Sequence, residues 1–339
     1  MPASSSADKL KSALRLVLGT LVSLGTLWLA FRNVQWRAAW QIIRHANGWL
    51  ILAALGSVLL TTAIRSERWR YMFYPDQRRL HPGLFLGVFL MGQMINALVP
   101  ARLGEVARAV LIGKRERVST ALGLWTAVTE KVLDSIVLLL FLALMALLVP
   151  LPGWLQSAGW TLSAAVIVVL ILLVVAALRR EQTLRWLARL VARWPWLGKL
   201  RVLRLAEAVF DSMRLFKQPR LSLGLVGYSV AAFVAGAATN WLTARAIGLP
   251  LSFRACLLLL SVLQISAVVP LPTTPGRVGV FHYLCVISLA VFAVPQEVAL
   301  SYGLILHVLV YLPMSVGGPL VLWLLNVSWR SLMHVTDTP

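Results

Sequence analysis

Charged residues are scarce in this sequence. They make up 13% of its 339 residues, whereas 59% are hydrophobic and the mean hydropathy is +0.81. A soluble domain usually carries about 25% charged residues. So little polar sequence cannot cover a water-exposed domain of this length, which excludes a soluble globular protein and indicates an integral membrane protein. It also leaves no room for a water-soluble catalytic domain.

Acidic residues are rarer still. Lys and Arg number 32 against 12 Asp and Glu, which leaves a net charge of +20. Because these cations are spread over an apolar chain, they favour contact with anionic lipid headgroups and argue against a nucleic acid partner. The two cysteines, Cys256 and Cys285, lie in apolar runs, which supports neither a disulfide framework nor a thiolate metal site.

Several catalytic motifs are missing. The sequence contains no Walker A loop and no H-E-x-x-H, C-x-x-C, G-x-S-x-G or D-x-D motif. ATP-driven pumping and metal-dependent transfer from a nucleotide sugar are therefore not expected of this chain. We predict a protein that is not an enzyme and that holds no cofactor or metal. An intramembrane enzyme is the weaker alternative.

Long apolar stretches predict the fold, because about 20 apolar residues cross a 30 Å bilayer core as a helix. These stretches lie near 13–31, 48–64, 119–149, 159–178, 222–247 and 297–325. The first resembles a signal peptide, but its long apolar region and the lack of an A-x-A site favour a retained anchor. We predict an all-α, polytopic membrane helix bundle with about six spanning helices, forming one integral membrane domain over 1–339.

Basic residues in the loops predict the orientation, since Lys and Arg accumulate on the cytoplasmic side. Loop 179–220 carries eleven of them, segments 65–79 and 102–117 carry five each, and the turn 150–158 carries none. The turn is then outside and the basic segments are inside, which puts both termini in the cytoplasm. Loop 32–47, with three arginines, fits this scheme least well.

Two further apolar segments do not fit as simple spans. Segment 80–101 has cytoplasmic-type charge at both ends, whereas segment 255–294 must begin and end outside. Each is therefore expected to enter and leave the bilayer by one face. The sequence predicts two broken re-entrant hairpins that enter from opposite sides.

The two broken segments also resemble each other. QMINALVPARLGEV begins at Gln93, and QISAVVPLPTTPGRVGVF begins at Gln264, with Val-Pro and Arg-x-Gly in matching order. This likeness predicts an inverted repeat with halves 48–149 and 222–325, joined by a basic cytoplasmic amphipathic segment, 179–220. A chance match is the alternative.

Proline and glycine explain why these segments must break, since proline removes a backbone donor and glycine permits positive φ. The breaks are assigned to Pro100, Gly104, Pro272, Pro275, Gly276 and Gly279. In secondary transporters, interrupted segments at corresponding positions of two inverted halves commonly form the central site. Ordinary interfacial loops between helices are the alternative.

Arginines beside the breaks are candidate phosphate ligands, because the planar guanidinium binds two oxygens at once. Arg102, Glu105 and Arg108 follow the first break at i, i+3 and i+6, so one helical face would carry two cations around a carboxylate. Arg277 stands in the second break, within an otherwise uncharged stretch. A surface ion cluster is the alternative for the first group.

Two carboxylates, Glu130 and Asp134, lie at i, i+4 in the apolar sequence AVTEKVLDSIVLLLFL. If both are buried, one carries a proton or pairs with an arginine, for which Arg102 and Arg277 are the candidates. An interfacial pair is the alternative. His307 falls near the repeat equivalent of Glu130, and is either a proton carrier or a structural hydrogen-bond donor.

Two basic segments are predicted at the membrane surface. Three arginines spaced by four residues follow one face of 185–193, with leucines and tryptophan opposite, which is typical of an interfacial amphipathic helix. A packed connector helix is the alternative. The sequence RSERWRYMF at 65–73 reads as a cytoplasmic helix exit, with Arg65 and Arg68 as lipid-phosphate contacts.

Three stretches together, NALVPARLGEVARAVLI, STALGLWTAVTEKVLD and PTTPGRVGVFHY, resemble the family known as the lysylphosphatidylglycerol synthase transmembrane region, or flippase-like domain. The resemblance extends over about residues 10–325. It implies motif positions at Asn96, Pro100, Arg102, Gly104, Glu105, Glu130, Asp134, Pro272, Pro275, Gly276 and Gly279, and so adds Asn96 to the candidate lipid ligands. Ala101 departs from the pattern, where glycine is expected.

The resemblance also implies a function. Fuller members of the family join this membrane unit to a soluble aminoacyl transferase domain, and related units accompany polyprenyl-linked glycosyltransferases. Because this sequence shows no such soluble domain, lipid translocation is implied and aminoacyl transfer is not. We expect a flippase-like protein of the bacterial inner membrane that binds or moves an anionic phospholipid or polyprenyl-linked headgroup. A non-transporting partner of a separate glycosyltransferase or lipid synthase is the alternative.

Overall fold

The computed structural model describes residues 24–32, 34–74, 76–98, 103–149, 153–194, 203, 218–268 and 275–327. Within these ranges the regular structure is helical and no strand occurs. The helices are α1 Trp36–Arg44, α2 Gly48–Tyr71, α3 Pro82–Leu98, α4 Gly104–Glu116, α5 Thr120–Leu148, α6 Gly153–Leu178, α7 Arg180–Arg193, α8 Pro219–Ala246, α9 Phe253–Val268, α10 Val278–Ala290 and α11 Gln296–Leu324. Residues 24–31 are also helical, whereas the rest of the span expected at 13–31 lies outside the described residues.

Three of these helices, α2, α8 and α11, are long and apolar enough to cross a membrane. Helices α5 and α6, with 29 and 26 residues, coincide with two more of the expected spans. Their outer faces carry exposed leucine, valine, isoleucine and tryptophan side chains, as a lipid-facing surface requires. The polytopic helical bundle expected from the apolar stretches is confirmed.

Each broken segment is part of a pair of short helices, of which α3, α9 and α10 are apolar and α4, which lies beyond the expected segment 80–101, is charged. Helix α3 is followed by α4, and α9 is followed by a 3₁₀ turn, Pro275–Arg277, and α10. At a rise of 1.5 Å per residue, the 17 residues of α3 and the 16 of α9 extend about 25 Å, less than the core of a bilayer. Each pair packs against itself, α3 on α4 and α9 on α10, as a re-entrant hairpin would.

At the described residues of the two breaks, glycine conformation and close packing explain where the helices stop and restart. Gly276 has φ of 72° and Arg277 has φ of 54°, so the chain turns through the left-handed region immediately before α10. Gly104 is the first residue of α4, and its N–H donates to Asn96 Oδ1 at 2.9 Å. Gly279 lies in the first turn of α10. Pro100 and Pro272 lie outside the described residues, and Pro275 begins the 3₁₀ turn.

Helices within 48–149 and 222–325, which we call the two halves, make matching contacts, and their origin as an inverted repeat stays a prediction. Helices α2 and α8 pack against each other along the centre of the molecule. Helix α3 of the first half packs on α11 of the second, and in the same way α9 of the second half packs on α5 of the first. The pairs α4–α5 and α10–α11 also correspond. Each broken segment is therefore held between its own half and the last long helix of the other.

The predicted basic helix is present as α7, which begins directly after α6 and has no buried side chain. Its sequence places Arg185, Arg189 and Arg193 at successive turns. The remainder of segment 179–220 that connects to α8 lies largely outside the described residues. Contact of this helix with lipid stays a prediction.

The substitution Gly104→Ala should destabilise the protein by about 1–3 kcal/mol, which is typical of overpacking a dense contact. A Cβ atom at this position would collide with the Gly92 carbonyl oxygen and lie 2.6 Å from Asn96 Oδ1. Thermal unfolding of the purified protein in detergent measures the effect. Gly56→Ala in α2 is the matched control, because a Cβ there meets nothing within 4 Å. Equal midpoints for the two variants would contradict this account of the first hairpin.

Candidate functional site

A cavity of about 280 Å³ lies between the two halves. Its wall is formed by the long helices α2, α5, α8 and α11, by the ends of α3 and α9, and by Arg277 in the second break. The two broken segments therefore approach one shared space, as the sequence predicts for a central site. The wall is mixed, with leucine, valine and phenylalanine side chains beside arginine, carboxylate, amide and hydroxyl groups.

Two arginines of α2 reach the cavity and share one carboxylate. Arg65 Nη2 lies 2.7 Å from Asp134 Oδ2, and Arg68 Nη2 lies 2.5 Å from Asp134 Oδ1. Arg68 also donates from Nη1 to Ser229 Oγ at 2.9 Å, which ties α2 and α5 to α8. The Arg68 side chain is only 2% exposed, whereas that of Arg65 is 25% exposed. Arg65 is thus the more accessible cation of the pair.

A second pair lies behind the cavity wall. Glu130 forms an ion pair with Arg108, and its other oxygen is 3.7 Å from Arg68 Nη2. The Arg108 guanidinium stacks over the rings of Trp69 and Phe89, at 4.6 and 5.2 Å from their centroids. Such cation–π contacts stabilise a desolvated arginine. Neither Arg108 nor Glu130 lines the cavity.

The cluster continues outward through Lys131, whose Nζ lies 3.0 Å from Glu105 Oε1. We call the whole set the charge cluster: Arg65, Arg68, Arg108, Lys131, Glu105, Glu130 and Asp134. Its four cations face three carboxylates, so the cluster carries an excess of one positive charge. Arg277, which also lines the cavity, brings a further positive charge.

Arg277 is positioned by the second half. The Tyr311 hydroxyl donates to the Gly276 carbonyl at 2.6 Å, which fixes the turn next to Arg277. The His307 ring stacks on Tyr311 with centroids 4.1 Å apart and the planes 5° from parallel. His307 therefore lies behind Tyr311 and does not line the cavity itself.

A second histidine extends this stack. The rings of His282 and His307 lie 5.1 Å apart, and His282 Nδ1 is 2.6 Å from the Val278 carbonyl. His282 Nε2 and His307 Nδ1 are both buried without a hydrogen-bond partner in the described part of the chain. The proton-carrying role expected of His307 stays a prediction.

The structure separates the residues expected to bind lipid. Asn96 and Arg277 line the cavity, whereas Glu105 and Arg108 are held in ion pairs away from it. Arg102 lies outside the described residues, as does the first break around it. Among described residues, no three His, Cys, Asp or Glu side chains are grouped to hold a metal ion.

The arginine partners of the carboxylates differ from those expected. Glu130 and Asp134 are paired with Arg108, Arg68 and Arg65, whereas the sequence pointed to Arg102 and Arg277. The sequence also places Arg65 and Arg68 at a surface exit, because the apolar stretch stops at residue 64. Helix α2 instead continues to Tyr71, and both arginines turn inward.

Gln93 and Gln264, the residues that begin the two matching sequences, both line the cavity. They come from α3 and α9, the first helices of the two broken segments. Neither side chain hydrogen bonds to a residue that the structure describes. The likeness between the segments therefore coincides with a shared position at the cavity.

The sequence profile described as "Lysylphosphatidylglycerol synthase TM region" matches residues 16–318. The chain belongs to this family. The match covers the first half, the second half as far as residue 318, both broken segments and every residue of the charge cluster. Searches of curated proteins and of solved structures each found no match. Membership in a transmembrane, flippase-like family agrees with the helical bundle and with a site inside it.

The substitution Glu130→Gln should destabilise the protein by about 3–5 kcal/mol, because it leaves Arg108 and Arg68 buried with less compensating charge. Asp76→Asn is the control, since it removes only the exposed 3.9 Å pair with Arg79 and should cost at most about 1 kcal/mol. Thermal unfolding in detergent compares the two variants. A Glu130→Gln protein as stable as Asp76→Asn would show that the buried pair is not needed.

Proposed function

We propose that this protein binds the anionic headgroup of a membrane lipid in the central cavity and moves it across the bilayer. The excess positive charge at the cavity supports this function most directly. A charge inside a membrane is costly and marks a substrate pathway where it faces a wet space. Because Arg65, Arg68 and Arg277 all line the cavity, a phosphate would meet cations from both halves.

The arginines suit a phosphate group in particular. A guanidinium fork binds two oxygens of a phosphate and is less strongly hydrated than an ammonium group. Asp134 holds Arg65 and Arg68 in fixed orientations before a ligand arrives, which lowers the entropic cost of binding. Asn96 lies on the same wall, and its amide NH₂ is available because its Oδ1 accepts from Gly104.

The broken segments support movement as well as binding. In transporters built from inverted halves, broken helices meet at a midplane site, and one half rocks against the other to open each face in turn. Here α3 and α9 both end near the cavity, and each is packed on the last long helix of the other half. We therefore interpret 48–149 and 222–325 as inverted repeat halves within one domain.

The same proposal includes a location. We propose that the protein lies in the bacterial inner membrane, with both termini, the C-terminal ends of α2 and α4 and segment 179–220 on the cytoplasmic side, as the family resemblance and the loop charges favour. Helix α7 would lie in the cytoplasmic interface, with its arginines among anionic headgroups and with Leu187 and Trp194, on the opposite face, at the acyl boundary. No catalytic step is assigned to the chain, because the cavity lacks an evident nucleophile or metal cluster among the described residues.

Transport by the purified protein in liposomes tests the proposal. The proteoliposomes contain phosphatidylglycerol with a fluorescent label on one acyl chain, and dithionite quenching reports the rate at which the lipid changes leaflet. Arg65→Gln and Arg277→Gln should each lower this rate by about tenfold or more, because each removes a charge-assisted contact worth about 1.5–3 kcal/mol. Arg277→Lys should fall between, since it keeps the charge and loses the fork.

Arg79→Gln is the matched control, because its side chain is 87% exposed and lies far from the cavity wall. The variants must have unfolding midpoints near that of the unmodified protein for their rates to be compared. Unchanged rates in both Arg65→Gln and Arg277→Gln would reject the assigned site. Transport that appears only after a glycosyltransferase or lipid synthase is added would favour the partner role instead.

A further inference from the structure

We propose that α1 and the arginines around it form a docking surface for anionic lipid headgroups, at the end of the bundle where α2 begins. Arg65 and Arg68 lie near the other end of α2. In the proposed orientation the α1 end faces away from the cytoplasm, so the headgroups are those of the outer leaflet. The inference concerns the membrane around the protein and does not depend on what the central cavity binds or moves.

Short connections hold α1 at this end of the bundle. Four residues separate helical residues 24–31 from α1, and three residues separate α1 from α2. One residue spans at most about 3.6 Å. Helix α1 therefore stays close to the ends of both neighbouring helices and cannot move away from the membrane surface.

Hydrogen bonds fix the depth of α1 against α11. Ser301 Oγ donates to the carbonyl of the buried Ala39 at 3.1 Å, and Gln296 Nε2 donates to the carbonyls of Ala30 and Arg32 at 3.1 and 3.0 Å. Helix α11 has 29 residues and extends about 43 Å, which leaves about 6 Å beyond each side of a 30 Å bilayer core. Ser301 lies about 8 Å from the start of α11, so α1 crosses it at the border of this core.

The exposed face of α1 has an aromatic side and a basic side. At about 100° per residue, Trp40 lies about 40° around the helix from Trp36, and Arg44 and Arg37 follow at about 80° and 100°. All four side chains are exposed, the tryptophans to 54% and 61%. Tryptophan rings favour the membrane–water interface, and arginines bind anionic headgroups. A helix that presents both side by side fits the surface of an anionic membrane better than an acidic protein.

Two arginines outside α1 extend the basic side. Arg32 and Arg245 are exposed, and each guanidinium lies over a tryptophan ring, at 5.1 and 5.4 Å from the centroid. Arg245 belongs to the same end of the bundle, since the Asn47 N–H donates to the carbonyl of the adjacent Ala246 at 2.8 Å. A cation–π contact uses the face of the guanidinium, so the N–H donors at its edge can still bind phosphate oxygens.

Carboxylates that could compensate these arginines are scarce in the sequence nearby. Segments 24–47 and 240–256 contain no Asp or Glu, and the first turn of α11 contributes Glu297. Four arginines therefore accompany one carboxylate, which favours an anionic partner. The same partner explains why loop 32–47 departs from the accumulation of basic residues on the cytoplasmic side, because its arginines would be held by headgroups of the outer leaflet.

Energy transfer from a label on α1 tests the proposal with the full-length chain in nanodiscs of phosphatidylcholine and phosphatidylglycerol. A donor dye is attached to Gln41→Cys, an exposed position of α1, whereas Cys256 and Cys285 are buried. The acceptor is an acyl-chain-labelled phosphatidylglycerol or, in a parallel sample, an equally labelled phosphatidylcholine. We expect phosphatidylglycerol to be enriched about threefold or more near the dye, because each arginine attracts the anionic surface.

The double variant Arg37→Gln/Arg44→Gln should lower this enrichment to about 1.5-fold or less, since Arg32 and Arg245 remain. Salt at about 1 M should have a similar effect, because the Debye length falls to about 3 Å. Ser157→Cys in α6 is the matched control for the dye. It is exposed in the uncharged segment 150–158, which the loop charges assign to the same side of the membrane, and should show no enrichment.

Equal transfer to both acceptors from Gln41→Cys, or an enrichment that Arg37→Gln/Arg44→Gln leaves unchanged, would overturn the proposal. A dye that aqueous iodide quenches fully, without enrichment of phosphatidylglycerol, would show that α1 faces water and would favour an acidic protein as its partner. The enrichment is measured without any movement of lipid between leaflets. It can therefore fail while transport through the cavity stands, and it can hold if transport fails.

Discussion

The buried guanidinium of Arg68 holds the site together. It contacts Asp134 and Ser229 directly and lies 3.7 Å from Glu130, so it links α2, α5 and α8 at one point. In a low-dielectric interior, a charge that loses its partner costs several kcal/mol. Glu130 in turn needs Arg108, which is buried against aromatic rings. The arginines that line the cavity can therefore remain charged, because Glu130 and Arg108, which lie behind the cavity wall, compensate the charge of Arg68.

The two halves are similar in packing and different in charge. In the first half, Trp69 Nε1 donates to Thr126 Oγ1 at 3.0 Å, which joins α2 to α5. In the second, the Tyr302 hydroxyl donates to Asn240 Oδ1 at 2.6 Å, which joins α11 to α8. Each of these helix pairs thus contains a hydrogen bond from an aromatic side chain, and α2 and α5 are joined in addition by the ion pairs of Arg65 and Arg68 with Asp134. The contact between α4 and α5 contains the Arg108–Glu130 salt bridge. The contact between α10 and α11 instead contains the stacked rings of His282 and His307. An anion in the cavity would consequently be bound asymmetrically, mainly by α2.

Much of the fold could be predicted from hydropathy and loop charge, whereas the charge cluster could not. The expected span 222–247 agrees closely with helix Pro219–Ala246, and the Pro/Gly-rich segments do separate pairs of short helices. The sequence analysis placed Arg65 and Arg68 at the membrane surface. A hydropathy scale counts the full cost of burying each charge and takes no account of a partner that lies elsewhere in the sequence. Their partner Asp134 lies 69 and 66 residues away, and only tertiary packing brings it close. Two acids in an apolar stretch, Glu130 and Asp134, were the signal that arginines had to turn inward, although the sequence pointed to Arg102 and Arg277 and not to Arg65, Arg68 and Arg108.

The pairing of the cavity arginines also bears on how a ligand could leave. A transport site must bind its substrate strongly enough to admit it and weakly enough to release it on the other side. Bare arginines in a low-dielectric cavity would hold a phosphate too strongly for turnover. Under the proposed function, Asp134 would moderate this attraction, because it would share Arg65 and Arg68 with an incoming anion and pair with them again as the anion departs. The same ion pairs would then orient the arginines before binding and replace the phosphate contacts after release.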